Sequence, residues 1–339
     1  MSTRILTLGL GLGVGLATAA AEAQVTLTFA DWQVPAASTT REAGAVFMEK
    51  ATELSGGELV FEYYPAEQLG RVGEMLQLLQ TGVADIAHVA PAHATDRFPM
   101  STVPELPGLS LDSCALADAT YAMMQPGGLL YEAEFGPNGV RVLFAGNLGP
   151  YTILTRQRAV TALSDLSGLN IRTAGGPMEM TVTALGANAI RMTGAETLPS
   201  LTRGTLDGVV WPIPLVKDWG LEEPLNHMTP NLSTGSFVNT YAVSDAVWNR
   251  LTESQREALV EAGQYATQRY CEYVNRTWAE ARDELEEVFG LTRSAFSDEE
   301  LANAQERFDS VHQDWVAGLA GGRVSSQEVY DTFRAHLGE

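Results

Sequence analysis

Arg172 is the residue whose surroundings point most directly to chemistry. It ends a short apolar stretch, residues 169–171, and is followed by Gly175, Gly176 and Pro177 and then by a helical pattern. A guanidinium offers two parallel charge-assisted hydrogen bonds, and the free N–H groups of a helix start add to the attraction, so this arrangement suits a grip on a carboxylate. An arginine at a strand end serves equally as a surface ion-pair partner, and spacing alone leaves both readings open. Catalytic signatures are missing. There is no G-x-S-x-G elbow, no H-E-x-x-H and no Cys/His pair in a recognisable frame. A secreted hydrolase is the rival class, but no pair stands out among the 42 acidic residues. The five histidines are scattered without an H-x-x-x-H pair, so neither a metal nor a cofactor is expected.

The elements that would position Arg172 come from a weak internal repeat. Residues 74–89, EMLQLLQTGVADIAHV, and residues 196–211, ETLPSLTRGTLDGVVW, share Glu74/Glu196, Leu76/Leu198, Leu79/Leu201, Gly82/Gly204 and Asp85/Asp207 at one constant offset. Each copy reads as an amphipathic helix, a glycine turn and a buried strand, preceded by an apolar β pattern at residues 25–32 or 168–172. Two α/β units of one kind imply two similar lobes with a cleft between them. In such folds ligands sit outside the carboxyl ends of strands. That rule nominates Trp32 and Gln33, residues 90–93, residues 172–176, and Trp211 with Pro212. A long helix is the other architectural signal. Thr252 to Gln255 forms a capping box, and helix formers then run to about Val288. Some 36 residues give roughly 54 Å, enough to span both lobes if Gly263 does not break the helix.

The ends and the composition narrow the setting. Arg4, an apolar stretch over residues 5–20 and Ala21-Glu22-Ala23 read as a cleavable secretory signal, residues 1–23. The remaining roughly 316 residues suit two domains. A net charge of −21 argues against nucleic-acid binding. Cys114 and Cys271 are able to pair in an exported chain, although the sequence does not show that they meet.

The order of short motifs is more specific than any one of them. GLNIR at 168–172 is followed by GGP at 175–177, ALGA at 184–187, M-x-x-x-E at 192–196 and L-x-x-G-x-x-DG at 201–208. YYPAEQLG at 63–70, TGVADIA at 81–87, RFPMSTVPELPGL at 97–109 and VWNRLTESQREAL at 247–259 complete the series. In these the chain resembles the DctP-type solute-binding proteins, the extracytoplasmic receptors of TRAP transporters. The resemblance implies an α/β fold of two lobes, a type II-like periplasmic binding protein with a long domain-spanning helix. It places lobe I at residues 24–149 plus 238–277 and lobe II at 150–237 plus 278–339. It implies a monomeric periplasmic receptor that performs no chemistry, takes a small organic anion and delivers it to TRAP-type membrane permease subunits.

By the same resemblance Arg172 lines up with the arginine that grips the substrate carboxylate. Trp211 stands where many relatives have an asparagine, and an aromatic wall favours a flat or partly apolar ligand. Thr152, beside Tyr151, stands where some relatives bring a second arginine, which argues against a substrate needing two clamps. Trp32, Tyr151 as a single O–H donor, His93, Phe237, Asn239 and Gly175 complete the expected site, while Trp219 is expected as hinge or rim packing, and Gln68 and Glu105 as structural residues. The expected ligand is a monocarboxylate, aromatic or a 2-oxo or hydroxy acid. A C4-dicarboxylate or a sulfonate, and a role as sensor for a signalling partner, are the alternatives.

Overall fold

Two sheets are built by the same recipe, once in each half of the repeat. The computed structural model describes residues 24–319 and 324–338, so the expected signal segment lies outside the described residues. The strands are β1 (Val25–Ala30), β2 (Leu59–Tyr64), β3 (Ile86–Val89), β4 (Val140–Asn147), β5 (Tyr151–Thr155), β6 (Asn170–Thr173), β7 (Asn188–Arg191), β8 (Gly208–Pro212), β9 (His227–Thr229), β10 (Val238–Ser244) and β11 (Thr292–Arg293). The first sheet runs β2-β1-β3-β10-β4 and the second β7-β6-β8-β5-β9-β11. In the first, β1 lies parallel to β2 and β3, and β10 lies antiparallel to β3. In the second, β6 lies parallel to β7 and β8, and β5 lies antiparallel to β8. The fourth strand of each sheet therefore arrives from the other half of the molecule. The chain crosses between sheets at residues 148–150 and again at 230–237.

The internal repeat is visible down to single hydrogen bonds. The helices Met75–Thr81 and Gly194–Arg203 both end on a left-handed glycine, Gly82 at φ 73° and Gly204 at φ 76°, a conformation that costs glycine little. Asp85 accepts from the Thr28 N–H at 2.8 Å, and Asp207 accepts from the Asn170 N–H at 2.8 Å. The shared aspartate thus ties the residue before each repeat's second strand to the backbone of its first.

The helix Glu253–Glu287 is continuous over 35 residues, about 52 Å long. Its N-terminus carries the expected capping box of Thr252 and Gln255. It packs on the first sheet through the helix Ala45–Leu54 and β4, and it reaches the second half at residues 213–215 and through the Lys217–Glu284 ion pair at 2.6 Å. Gly263 does not break it. A Cβ there would lie 1.9 Å from the Leu143 carbonyl oxygen, so glycine is what lets the helix approach β4. Cys114 and Cys271 form a disulfide that fastens this helix to the helix Ser113–Met124. The two C-terminal helices, Asp298–Gly318 and Ser326–His336, bury Val311, Trp315, Val329 and Phe333 in one cluster with Val103, Leu116 and Met123 of the first half. No helix among the described residues is long and apolar enough to cross a membrane.

Candidate ligand-binding site

The carboxyl ends of β1, β3, β6 and β8 meet at one enclosed cavity between the two sheets. Its walls include Trp32, Gln33 and His93 from the first half and Arg172, Ala174 and Trp211 from the second. Leu148, Tyr151 and Phe237, at the two crossovers, close its base, and Gly194, Pro212, Leu215 and Trp219 complete it. Of the residues the strand-end rule nominates, Trp32, Gln33, His93, Arg172, Ala174, Trp211 and Pro212 line this cavity, and residues 90–92, 173, 175 and 176 do not.

Arg172 is only 3% exposed and forms no ion pair among the described residues. Its Nε donates to the Met192 carbonyl at 3.2 Å, and its guanidinium carbon lies 4.5 Å from the centre of the Trp211 ring. One edge of the fork is thereby fixed by the backbone and one face by an indole. Neither Nη atom has a hydrogen-bond partner among the described residues, so the outer fork retains its donors. Burial pushes the Arg172 pKa down to about 10, which leaves it charged at neutral pH. Glu196 attracts this charge without forming an ion pair with it, so the buried cation remains costly, and an anionic ligand relieves that cost.

His93 is held neutral. Burial, followed by the nearby positive charges of Arg172 and Arg191, pushes its pKa down to about 3. Burial also pushes the Tyr151 hydroxyl well above its ordinary range. Trp32 packs at 6.0 Å from His93 and 6.4 Å from Phe237, and Trp211 meets Trp219 edge-on at 5.9 Å. Side chains leave only about 30 Å³ of free space, far below the ~300 Å³ of an ordinary small-molecule site. Entry of an organic acid therefore requires the two halves, or these rings, to separate. A larger groove of about 970 Å³ lies beyond the Gly176 turn. Glu306, Arg307 and Asp314 on its wall are exposed and of both signs, whereas the smaller cavity holds a buried charge that no ion pair among the described residues compensates.

Several expected residues fall elsewhere. Asn239 does not line the cavity. Its Oδ1 is 2.7 Å from His88 Nε2, and His88 Nδ1 is 2.7 Å from Asp31 Oδ1. Gly175 lies behind the wall, where a Cβ would meet Arg191 Nε at 2.7 Å. Arg191 in turn donates from Nη2 to the Ala92 carbonyl at 3.2 Å, bridging the halves. Thr152 is buried and spends its hydroxyl on the Thr229 carbonyl. Trp219, expected as rim packing, is part of the wall. Glu105 is fully buried beneath the site: Oε1 accepts from the Val238 N–H at 3.1 Å, and Oε2 has no partner. Burial pushes its pKa up to about 8.

This fold is that of a two-lobe binding protein with a cavity between its two sheets. The chain belongs to bacterial extracellular solute-binding protein family 7, whose DctP model matches residues 31–318, and it is a periplasmic solute-binding protein of the TRAP type. A solute-binding protein of Roseobacter denitrificans is 25% identical over 283 residues, 79% of this chain and 84% of that protein. Among solved structures, a marine metagenome TRAP solute-binding protein specific for aromatic acid ligands superposes with a TM-score of 0.85 at 20% identity, covering 93% of this chain and 99% of that one. A TRAP periplasmic protein from Bordetella bronchiseptica with bound mandelate superposes with a TM-score of 0.82 at 22% identity, covering 93% and 99%. At these identities the structures show a shared fold.

Proposed function

We propose that this protein is the receptor of a TRAP-type secondary transporter, that it closes on a small organic acid bearing one carboxylate and a flat or moderately apolar body, and that it hands that acid to membrane permease subunits without chemical change. The observation that carries this reading is Arg172: a buried, unpaired cation, fixed at Nε and on one face, with its outer fork free inside an aromatic cavity. The fork takes the carboxylate, and the faces of Trp32, Trp211 and Phe237 exclude water around the rest. Among the described residues no cation besides Arg172 lines the cavity, Thr152 spends its hydroxyl on the Thr229 carbonyl, and the Asn239 Oδ1 is engaged with His88. This disfavours C4-dicarboxylates and sulfonates. The structural relatives with bound metahydroxyphenylacetate and mandelate fit the same class of ligand.

In this reading lobe I is the β1–β4 and β10 half, and lobe II is the β5–β9 half. Val311, Trp315, Val329 and Phe333 assign the C-terminal helices partly to lobe I. A ligand that touches both lobes only when they are closed shifts the population toward closure. The closed state also gains the Ser38 N–H bond to Asp218 at 2.7 Å and the Arg191 bond to Ala92. The test is a thermal-shift panel at equal concentration, with benzoate, mandelate, pyruvate, succinate, malate and isethionate, joined to mass spectrometry of ligand carried through native purification. Aromatic or hydroxy monocarboxylates are expected to give the largest stabilisation. Stabilisation by succinate or malate alone would overturn the reading.

A further inference from the structure

The cavity wall holds polar atoms that the fold leaves unpaired. Gln33 is 2% exposed, lines the cavity, and its side-chain Oε1 is buried without a partner among the described residues. The indole Nε1 atoms of Trp32, from the same half, and of Trp211, from the other half, are also buried and have no partner among the described residues. Leaving a buried polar group unmatched is costly, so such groups in a binding cavity are best explained by a partner that arrives with the ligand.

The backbone around Gln33 is held unusually firmly. Its N–H donates to Asp31 Oδ1 at 2.8 Å, and its carbonyl accepts from the Ala66 N–H at 2.8 Å. Asp31 is itself fixed by His88 at 2.7 Å and by the Tyr63 hydroxyl at 2.8 Å. Ala66 and Glu67 sit at φ 54° and φ 59°, left-handed conformations that non-glycine residues rarely adopt. Strain of this kind persists where the surroundings enforce it, and it marks sites where geometry matters. Here the strained turn and the Asp31 network hold the main chain of a glutamine whose side chain has nothing to bind.

We propose that Gln33 reads a hydroxyl group on the ligand, so that the receptor selects hydroxy acids over their deoxy and oxo counterparts. The inference rests on the carboxylate reading above and adds the second polar contact to it. A hydroxyl both donates and accepts, so it satisfies the Gln33 amide in either orientation of its oxygen and nitrogen, and its remaining lone pair is free for an indole N–H. A keto oxygen only accepts, so it is matched only by the amide N–H and offers nothing to Oε1. A deoxy acid leaves the whole set unmatched. Sites built to bond a hydroxyl discriminate strongly against analogues that lack it.

The experiment is isothermal titration of the full mature protein with matched pairs: mandelate against phenylacetate and benzoylformate, 3-hydroxybenzoate against benzoate, and lactate against propionate. The readout is the affinity ratio within a pair. For the best-bound pair the hydroxy acid is expected to bind at least tenfold tighter than its deoxy partner. That ratio is expected to collapse to within about twofold in Gln33→Met, with Gln33→Leu as the second variant should the first misfold. A ratio near one in the natural protein, with the deoxy acids still bound, overturns the role of Gln33 and leaves the carboxylate reading standing. So does a ratio that survives both substitutions. If none of these acids binds, the carboxylate reading fails and takes this inference with it.

Discussion

The two halves of the molecule each bury a polar centre at the end of the corresponding strands, and they use it in opposite ways. In the first half His88 bridges Asp31 and Asn239, all three fully buried, and Tyr63 adds a fourth member, although the Asn239 Nδ2 has no partner among the described residues. In the second half Arg172 is almost as deeply buried, yet its partners are one carbonyl and one ring face. A network whose members bond to one another can hold a wall in place. A charge left with open donors costs stability in the free protein, and a ligand can repay it. The difference teaches where to look for a site: among buried charged and polar groups that remain unmatched on a cavity wall, rather than where polar groups are densest.

The comparison breaks if either centre behaves like the other. His88→Leu removes a partner from both Asp31 and Asn239 and leaves a buried carboxylate short of one contact. It is expected to cost about 3–5 kcal/mol of folding stability, measured by denaturant unfolding, and a loss well under 1 kcal/mol would show that the network is ornamental. Arg172→Lys keeps the charge but loses the planar fork. It is expected to weaken ligand binding by about 2–4 kcal/mol while the unliganded protein melts close to the natural one. Near-normal calorimetric affinity in that variant would remove Arg172 from the site.

Glu105 lies between these extremes, with one oxygen bonded to Val238 and the other unmatched beside Gly176. Its carboxyl, ordinarily near 4.5, is pushed up to about 8 by burial, so between those values the folded chain keeps a proton that the unfolded chain has released. Its contribution therefore lowers stability as pH rises through that window, by at most about 1.4 kcal/mol per pH unit. Glu134 acts in the same sense up to about 7, and His93, held near 3, acts in the opposite sense below its ordinary 6.5. The difference between Glu105→Gln and the natural protein isolates the one group. The variant is expected to lose about 1 kcal/mol less per pH unit between pH 5 and 8. Parallel profiles would mean that water or a shift of the Gly176 turn satisfies the free oxygen.

Much of this was legible in the sequence because it is written in local grammar. The paired repeat, its glycine turns and its shared aspartates predicted two related sheets, and the strand-end rule nominated Trp32, Gln33, His93, Arg172 and Trp211, all of which line the cavity. The capping box at Thr252 marked the start of the long helix. What local grammar does not encode is partnership at a distance. Asn239 reads as a cavity amide until the fold sets His88 beside it, 151 positions away. Arg191 carries no signal that it will bond Ala92, 99 positions away, and Trp219 becomes a wall only because Gly194 has no side chain: a Cβ there would lie 2.9 Å from the Trp219 ring. The pairing of Cys114 with Cys271 is of the same kind, since it depends on a long helix docking against the helix that carries Cys114.

The smallest expected effect sharpens the comparison at its finest point, the indole that supports Arg172. Trp211 lies under the guanidinium at 4.5 Å and braces against Trp219, with its own Nε1 unmatched. Trp211→Phe keeps an aromatic face but offers a weaker quadrupole and no N–H. If the indole only supports the fork, all monocarboxylates are expected to lose a similar ~0.5–1 kcal/mol, the difference between a strong and a weak cation–π face. If its N–H also serves the ligand, hydroxy acids lose more than their deoxy partners. Calorimetry on mandelate and phenylacetate with this variant separates the two. A uniform small loss assigns Trp211 to the Arg172 support, a selective one joins it to Gln33, and no loss at all would mean that the ring merely fills space beneath the charge.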